Sequence, residues 1–169
     1  MSVAEAEPYL PHHDAYEDDH IRGVLNRVKT IAMVGASANW NRPSYFAMKY
    51  LQGKGFRAIP VNPGMAGKEI LGETVRASLA DIPEPVDMVD VFRNAAAAEA
   101  IVDEAIAVGA PVVWMQLGVR NDGAAARAEA AGLTVVMNRC PKIEYARLNG
   151  ELSWHGFNSG VISSKRRRL

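Results

Sequence analysis

Five short apolar runs punctuate this chain: Ile31–Val34, Phe56–Val61, Met88–Phe92, Val112–Met115 and Leu133–Met137. The first has no polar alternation, as expected of a strand buried on both faces of a parallel sheet. Helical patterns lie between the runs. Pro43 to Gln52 carries an inner stripe of Phe46, Ala47, Tyr50 and Leu51, with Gly53 or Gly55 ending it. Ala95 to Ala107 turns Ile101, Val102, Ala105 and Ile106 inward behind an Asn94 cap. An alanine-rich helix opens at Asn121 or Asp122 and stops at Gly132. Connections this short admit only right-handed crossovers. The pattern predicts an α/β fold, a doubly wound parallel sheet of about five strands in a single domain.

The flanks are less regular. A helix from Glu17 to Lys29 is expected before the first strand, with Ile21, Val24, Leu25 and Val28 on one face. Ile70 to Thr74 reads as a short extended piece, Ser78 to Ile82 as one helical turn, and Lys142 to Leu148 as a final helix. Residues 1–16, broken by Pro8 and Pro11, read as a flexible leader; residues 17–149 form the domain; residues 150–169 read as a partly ordered tail ending in Lys165-Arg166-Arg167-Arg168.

Charge excludes several function classes. Lys+Arg and Asp+Glu both number 19, so no global field draws nucleic acid or an acidic membrane. The basic tail is expected to be a solvated end. One cysteine, Cys140, allows no internal disulfide. No run approaches the ~20 apolar residues of a membrane span, and the N-terminus lacks a signal-peptide stretch. A soluble, cytoplasmic protein is expected. His12-His13 has no third ligand at suitable spacing, so no metal site is expected.

The chemistry concentrates in Thr30 to Ser44, TIAMVGASANWNRPS. A buried strand runs into the small residues Gly35-Ala36-Ser37, and Pro43 suits the first turn of a helix because its missing N–H would be unpaired there. Strand, loop and helix start offer backbone N–H groups to a phosphate. Arg42 adds a fork of donors matched to phosphate oxygens. Ligands of open α/β sheets bind outside the carboxyl ends of the strands. Here those ends are Gly35–Ser37, Asn62-Pro63, Phe92-Arg93-Asn94, Gln116-Leu117-Gly118 and Asn138-Arg139-Cys140.

A nicotinamide site calls for G-x-G-x-x-G and an acid about 20 residues further on to hold the ribose. This chain has Ser37 and Trp40 in place of the second and third glycines, and Asn62-Pro63 in place of the acid. A nicotinamide-dependent oxidoreductase is therefore a secondary reading.

The segments VGASANWNRPS, AIPVNPG, VDMVDVFRN, VVWMQLGVRND and VVMNRCPKIE resemble the stand-alone CoA-binding proteins of Rossmann type. These are similar to the N-terminal domain of the succinyl-CoA synthetase α-subunit, and the resemblance covers about residues 20 to 150. It implies CoA or an acyl-CoA as ligand, with its phosphates on the loop formed by Gly35, Ala36, Ser37, Ala38, Asn39, Arg42 and Ser44. Ser37 and Arg42 are the implied side-chain donors. The resemblance further implies Asn62 and a basic residue, Lys68, after the second strand, and a rim of Met115, Gln116 and Leu117 beside the nucleotide or pantetheine. Phe92 and Arg93 lie between them. The synthetase carries its catalytic phosphohistidine on a second domain for which this chain has no room. His12, His13, His20 and His155 all lie outside the strand-end loops, so a ligand-binding protein without catalysis of its own is expected. A subunit or regulator of an acyl-CoA-handling complex, or a homo-oligomer, is the other reading.

Other residues divide between two roles. Trp40 stacks on adenine or covers the helix end. Trp114 belongs in the core. Arg93 and Arg139 contact ligand or pair with acids such as Asp90 or Glu144. Cys140 is a small buried hydrophobe, or a thiol activated by neighbouring Arg139 that forms a mixed disulfide with CoA.

Overall fold

In the computed structural model, which describes residues 6–150, the apolar runs pair as one parallel sheet. In chain order the elements are α1 (Asp18–Arg27), β1 (Thr30–Val34), α2 (Pro43–Gly53), β2 (Arg57–Val61), β3 (Glu69–Ile70), β4 (Glu73–Thr74), β5 (Met88–Val91), α3 (Ala95–Val108), β6 (Val112–Met115), α4 (Asp122–Ala130), β7 (Thr134–Val136) and α5 (Pro141–Leu148). The sheet runs β2-β1-β5-β6-β7, every pair parallel. The chain thus leaves β1 toward one edge and returns through β5 toward the other. The switch point falls between β1 and β5, where a crevice opens at the strands' carboxyl ends.

Both faces of the sheet are covered. Ala32, Val89, Val91, Val113 and Met115 face α3 and α4, while Ile31, Met33, Met88 and Trp114 face α1, α2 and α5. This two-sided cover explains why the strands lack alternation. Burying each large aliphatic side chain contributes about 1.5–3 kcal/mol. Helix α5 is seated by the buried Tyr145, whose ring meets Phe56 edge-on at 5.6 Å and Tyr50 at 6.3 Å. Asn94 and Asn121 cap α3 and α4, accepting from the amides of Ala97 and Ala124. Gly109, at φ 73°, closes α3 in the left-handed conformation.

The extended piece expected over Ile70–Thr74 is a tight hairpin, β3 against β4. Leu71 and Gly72 form its turn with φ of 48° and 84°, the pair of positive angles that a two-residue hairpin demands. The turn over Ser78–Ile82 is a 3-10 turn at Leu79–Asp81.

The segment read as a leader is fastened to the start of α4. Asp122 accepts from the Leu10 amide at 2.7 Å, and Arg120 bridges Asp122, Asp14 and the Leu10 carbonyl. The Arg120 guanidinium draws the Asp122 carboxyl down to about 2. Further on, the Tyr16 hydroxyl accepts from the Met137 amide at 2.8 Å. No helix among the described residues is long and apolar enough to cross a membrane. The basic tail and His155 lie outside the described residues.

Candidate functional site

At the switch point a cleft of about 800 Å³ opens between the loops after β1, β5 and β6 and the start of α5. Its floor is the turn leaving β1. Gly35 adopts φ 90°, and a Cβ atom there would lie 2.6 Å from the Phe92 carbonyl oxygen, so only glycine lets the two strand ends approach this closely. The turn is braced from β2, since Asn62 donates its side-chain amide to the Ala36 carbonyl at 2.9 Å while its Oδ1 accepts from Gly64.

Beyond Ala36 the loop is organised by its own short polar side chains. The Ser44 hydroxyl accepts from the Ser37 amide, the Ser37 hydroxyl from the Asn39 amide, and the Asn39 side chain from the Asn41 amide. Such local turns fix the loop before any ligand arrives. Both hydroxyls keep a proton to donate. Helix α2 then begins at Pro43 without a side-chain cap. Ala36 and Ser44 line the cleft, and their amides have no acceptor among the described residues. Unpaired N–H groups at a helix start carry a partial positive charge.

The walls combine cations with apolar surface. Arg42, Arg93 and Lys142 line the cleft, and no carboxylate among the described residues does. The side chains of Arg42 and Arg93 make no ion pair or hydrogen bond among the described residues. Lys142 lies 5.9 Å from the ring centres of both Phe46 and Tyr50, a cation–π position that holds its ammonium at the rim. Phe46, Phe92, Leu117, Val119 and Ile143 supply the apolar lining, with Phe46, Leu117 and Ile143 exposed.

Gln116 reaches the cleft from the end of β6 and donates to Asp90 Oδ1 at 2.8 Å. Asp90 is wholly buried in β5, and its Oδ2 has no hydrogen-bond partner among the described residues. Burial lifts its carboxyl to about 8, against the lowering effect of Gln116. The protonated form thus predominates at neutral pH, and the Gln116 amide is held in one orientation.

Of the residues singled out from the sequence, Gly35, Ala36, Ser37, Arg42, Ser44, Asn62, Phe92, Arg93, Gln116 and Leu117 meet at this cleft. Four do not. Met115 is fully buried against the α3/α4 face, because its side chain points opposite to that of Gln116. Lys68 is exposed on the turn leading to the hairpin, and Ala38 and Asn39 lie on the loop's outer side. Lys142 and Ile143 complete the walls without a local sequence signal, since α5 reaches the site only through tertiary packing, and Phe46, expected on the inner stripe of α2, is instead exposed at the cleft.

The proposed acid partners of the arginines are otherwise engaged. Asp90 holds Gln116, and Glu144 pairs with Arg147 at 2.7 Å. The Arg139 guanidinium sits 5.4 Å over the Tyr16 ring and donates to the Asn138 carbonyl, away from Cys140 as an activating charge. Cys140 lies on the cleft wall but is buried, and desolvation pushes its thiol up. Trp114 is a core residue, its indole N–H donating to the Arg139 carbonyl at 2.8 Å. Trp40 is 66% exposed and lies off the cleft wall.

Comparison with known proteins gives a consistent family. A family model described as a CoA binding domain matches residues 29–146. The protein YneT of Bacillus subtilis (strain 168) is 37% identical over 126 residues, covering 75% of this chain and 92% of that protein. Among solved structures, a redesigned-for-binding form of the PH1109 protein superposes with TM-score 0.78 at 42% identity, covering 84% of this chain and 99% of that one. The cell-free ID.343 protein from Thermus thermophilus superposes with TM-score 0.75 at 39% identity, covering 79% and 99%.

Proposed function

This chain belongs to the CoA binding domain family, and we propose that its cleft binds CoA or an acyl-CoA and holds it without transforming it. The observation that carries this reading is the charge pattern of the walls. Among the described residues, three cations and no carboxylate line a cleft in a chain whose formal net charge is zero. CoA requires donors for a diphosphate and a ribose phosphate, and an apolar slot for a long thin arm. The diphosphate sits on the amides of Ala36 and Ser44, the hydroxyls of Ser37 and Ser44, and the Arg42 guanidinium. Arg93 and Lys142 serve the remaining phosphate charge. The pantetheine arm runs along Phe92 and Leu117 past Gln116 toward Cys140.

Two features favour storage or presentation of the cofactor over chemistry on it. His12, His13 and His20 stand away from the cleft. The thiol on the wall, Cys140, is pushed up by burial and has no base among its neighbours on the wall. The Asp90 carboxyl beneath Gln116 is screened from the cleft by that side chain and serves to position it.

Calorimetric titration with CoA, acetyl-CoA and NAD tests the reading. Saturable heat with CoA or acetyl-CoA and none with NAD supports it; heat with NAD alone reverses it in favour of a nicotinamide enzyme.

A further inference from the structure

A second cavity, of about 330 Å³, lies between the amino-terminal 3-10 turn (Pro11–His13), the start of α1 and the end of α4, and shares no residue with the cleft. At its edge His12, His13 and Glu129 converge, each offering one ligand atom, and these atoms lie within 4.8 Å of one another. His13 Nε2 is 2.6 Å from Glu129 Oε1, and His12 Nε2 is 2.9 Å from the same oxygen and 3.2 Å from Oε2. The sequence displays the histidine pair but hides its third member 116 residues away.

We propose that His12, His13 and Glu129 bind a divalent transition cation of the Zn2+ class, tying the amino-terminal turn to α4. Three observations support this assignment. The donor set, two imidazole nitrogens and one carboxylate, is one that zinc takes with a fourth position left open. The adjoining cavity, which His20 also lines, has room for a ligand in that position. The buried His13 is aimed rather than merely present: its Nδ1 is bonded to the Tyr16 hydroxyl at 2.6 Å, and that oxygen accepts from the Met137 amide. Metal-binding histidines are oriented in this way by a partner on the second nitrogen. Finally, the fit is close. In a tetrahedral shell with bonds of about 2.0–2.2 Å, donors stand roughly 3.3–3.6 Å apart, so each imidazole needs to withdraw from the carboxylate by about 1 Å or less, while the two histidine nitrogens, within 4.8 Å of each other, close by at most about 1.5 Å.

The test uses the full 169-residue chain, stripped with chelator and titrated with ZnCl2 by calorimetry, with CoCl2 absorption as an independent readout. One equivalent is expected to bind, raising the melting temperature in a manner that chelator reverses. His12→Ala is the informative variant, because that side chain is 55% exposed and its loss leaves the fold intact. It and Glu129→Gln should each weaken Zn2+ binding at least about tenfold, while Arg42→Ala leaves it unchanged. Absence of saturable binding, or equal affinity in wild type and His12→Ala, overturns the proposal.

Discussion

A Cβ atom built on Gly35 falls 2.6 Å from the carbonyl oxygen of Phe92. The ends of β1 and β5 thus come closer than any side chain on Gly35 permits, and that approach makes the floor of the cleft. Both routes to relief are costly: the residue leaves its positive φ, or β5 moves and takes Arg93 with it.

Gly35→Ala is therefore expected to destabilise the fold by at least about 1–3 kcal/mol, the cost of a strained backbone, and to weaken CoA binding alongside. Chemical denaturation followed by titration checks both. Wild-type stability in the variant contradicts the packing described here.

Asp90 predicts an unusual pH dependence. Its carboxyl is lifted from 3.8 to about 8 by burial, so the folded chain keeps a proton that the unfolded chain releases across that interval. Its contribution to stability is fully present below the unfolded value and is lost as pH rises through the folded one. The slope is at most about 1.4 kcal/mol per pH unit. Asp90→Asn keeps the shape and removes the titration, so urea denaturation of the variant between those pH values should give the flatter profile. Parallel profiles show that Asp90 does not titrate as described.

The Arg42 guanidinium makes no pairing among the described residues, so its removal reports on ligand rather than fold. Arg42→Ala should weaken CoA binding by about 1.5–3 kcal/mol, as for hydrogen bonds to charged groups, with an unchanged melting temperature of the unliganded protein. Unchanged affinity places the phosphates elsewhere.

Cys140 is expected to be a slow thiol. Burial raises it, and the Arg139 charge that the sequence set beside it is turned toward Tyr16. Intact mass of protein purified without reductant should show no CoA-sized adduct. An adduct lost on reduction reveals a reactive thiol and restores the mixed disulfide.

Much of the fold was legible in the chain. Strands buried on both sides announce themselves as apolar runs, and Asn94 and Asn121 mark helix starts through short-range hydrogen bonds. Gly35, Arg42 and Ser44 could be placed at one loop because strand, turn and helix start follow each other directly. What could not be read depends on contacts distant in sequence or on which face a buried strand residue takes. Met115 and Gln116 are neighbours with opposite directions, and a strand apolar on both faces carries no pattern to distinguish them. Lys142 and Ile143 reach the cleft only because Tyr145 seats α5. The same limit hid Arg120 and Asp122 as the anchor of Leu10, and Glu129 as the partner of the two histidines.

The most direct measurement of the central claim is a crystal structure of the protein grown with CoA. The diphosphate is predicted within hydrogen-bonding distance of the Ala36 and Ser44 amides and the Arg42 guanidinium, with the pantetheine arm along Phe92 and Leu117. A diphosphate bound outside this turn, or a cleft left empty at saturating CoA, contradicts it.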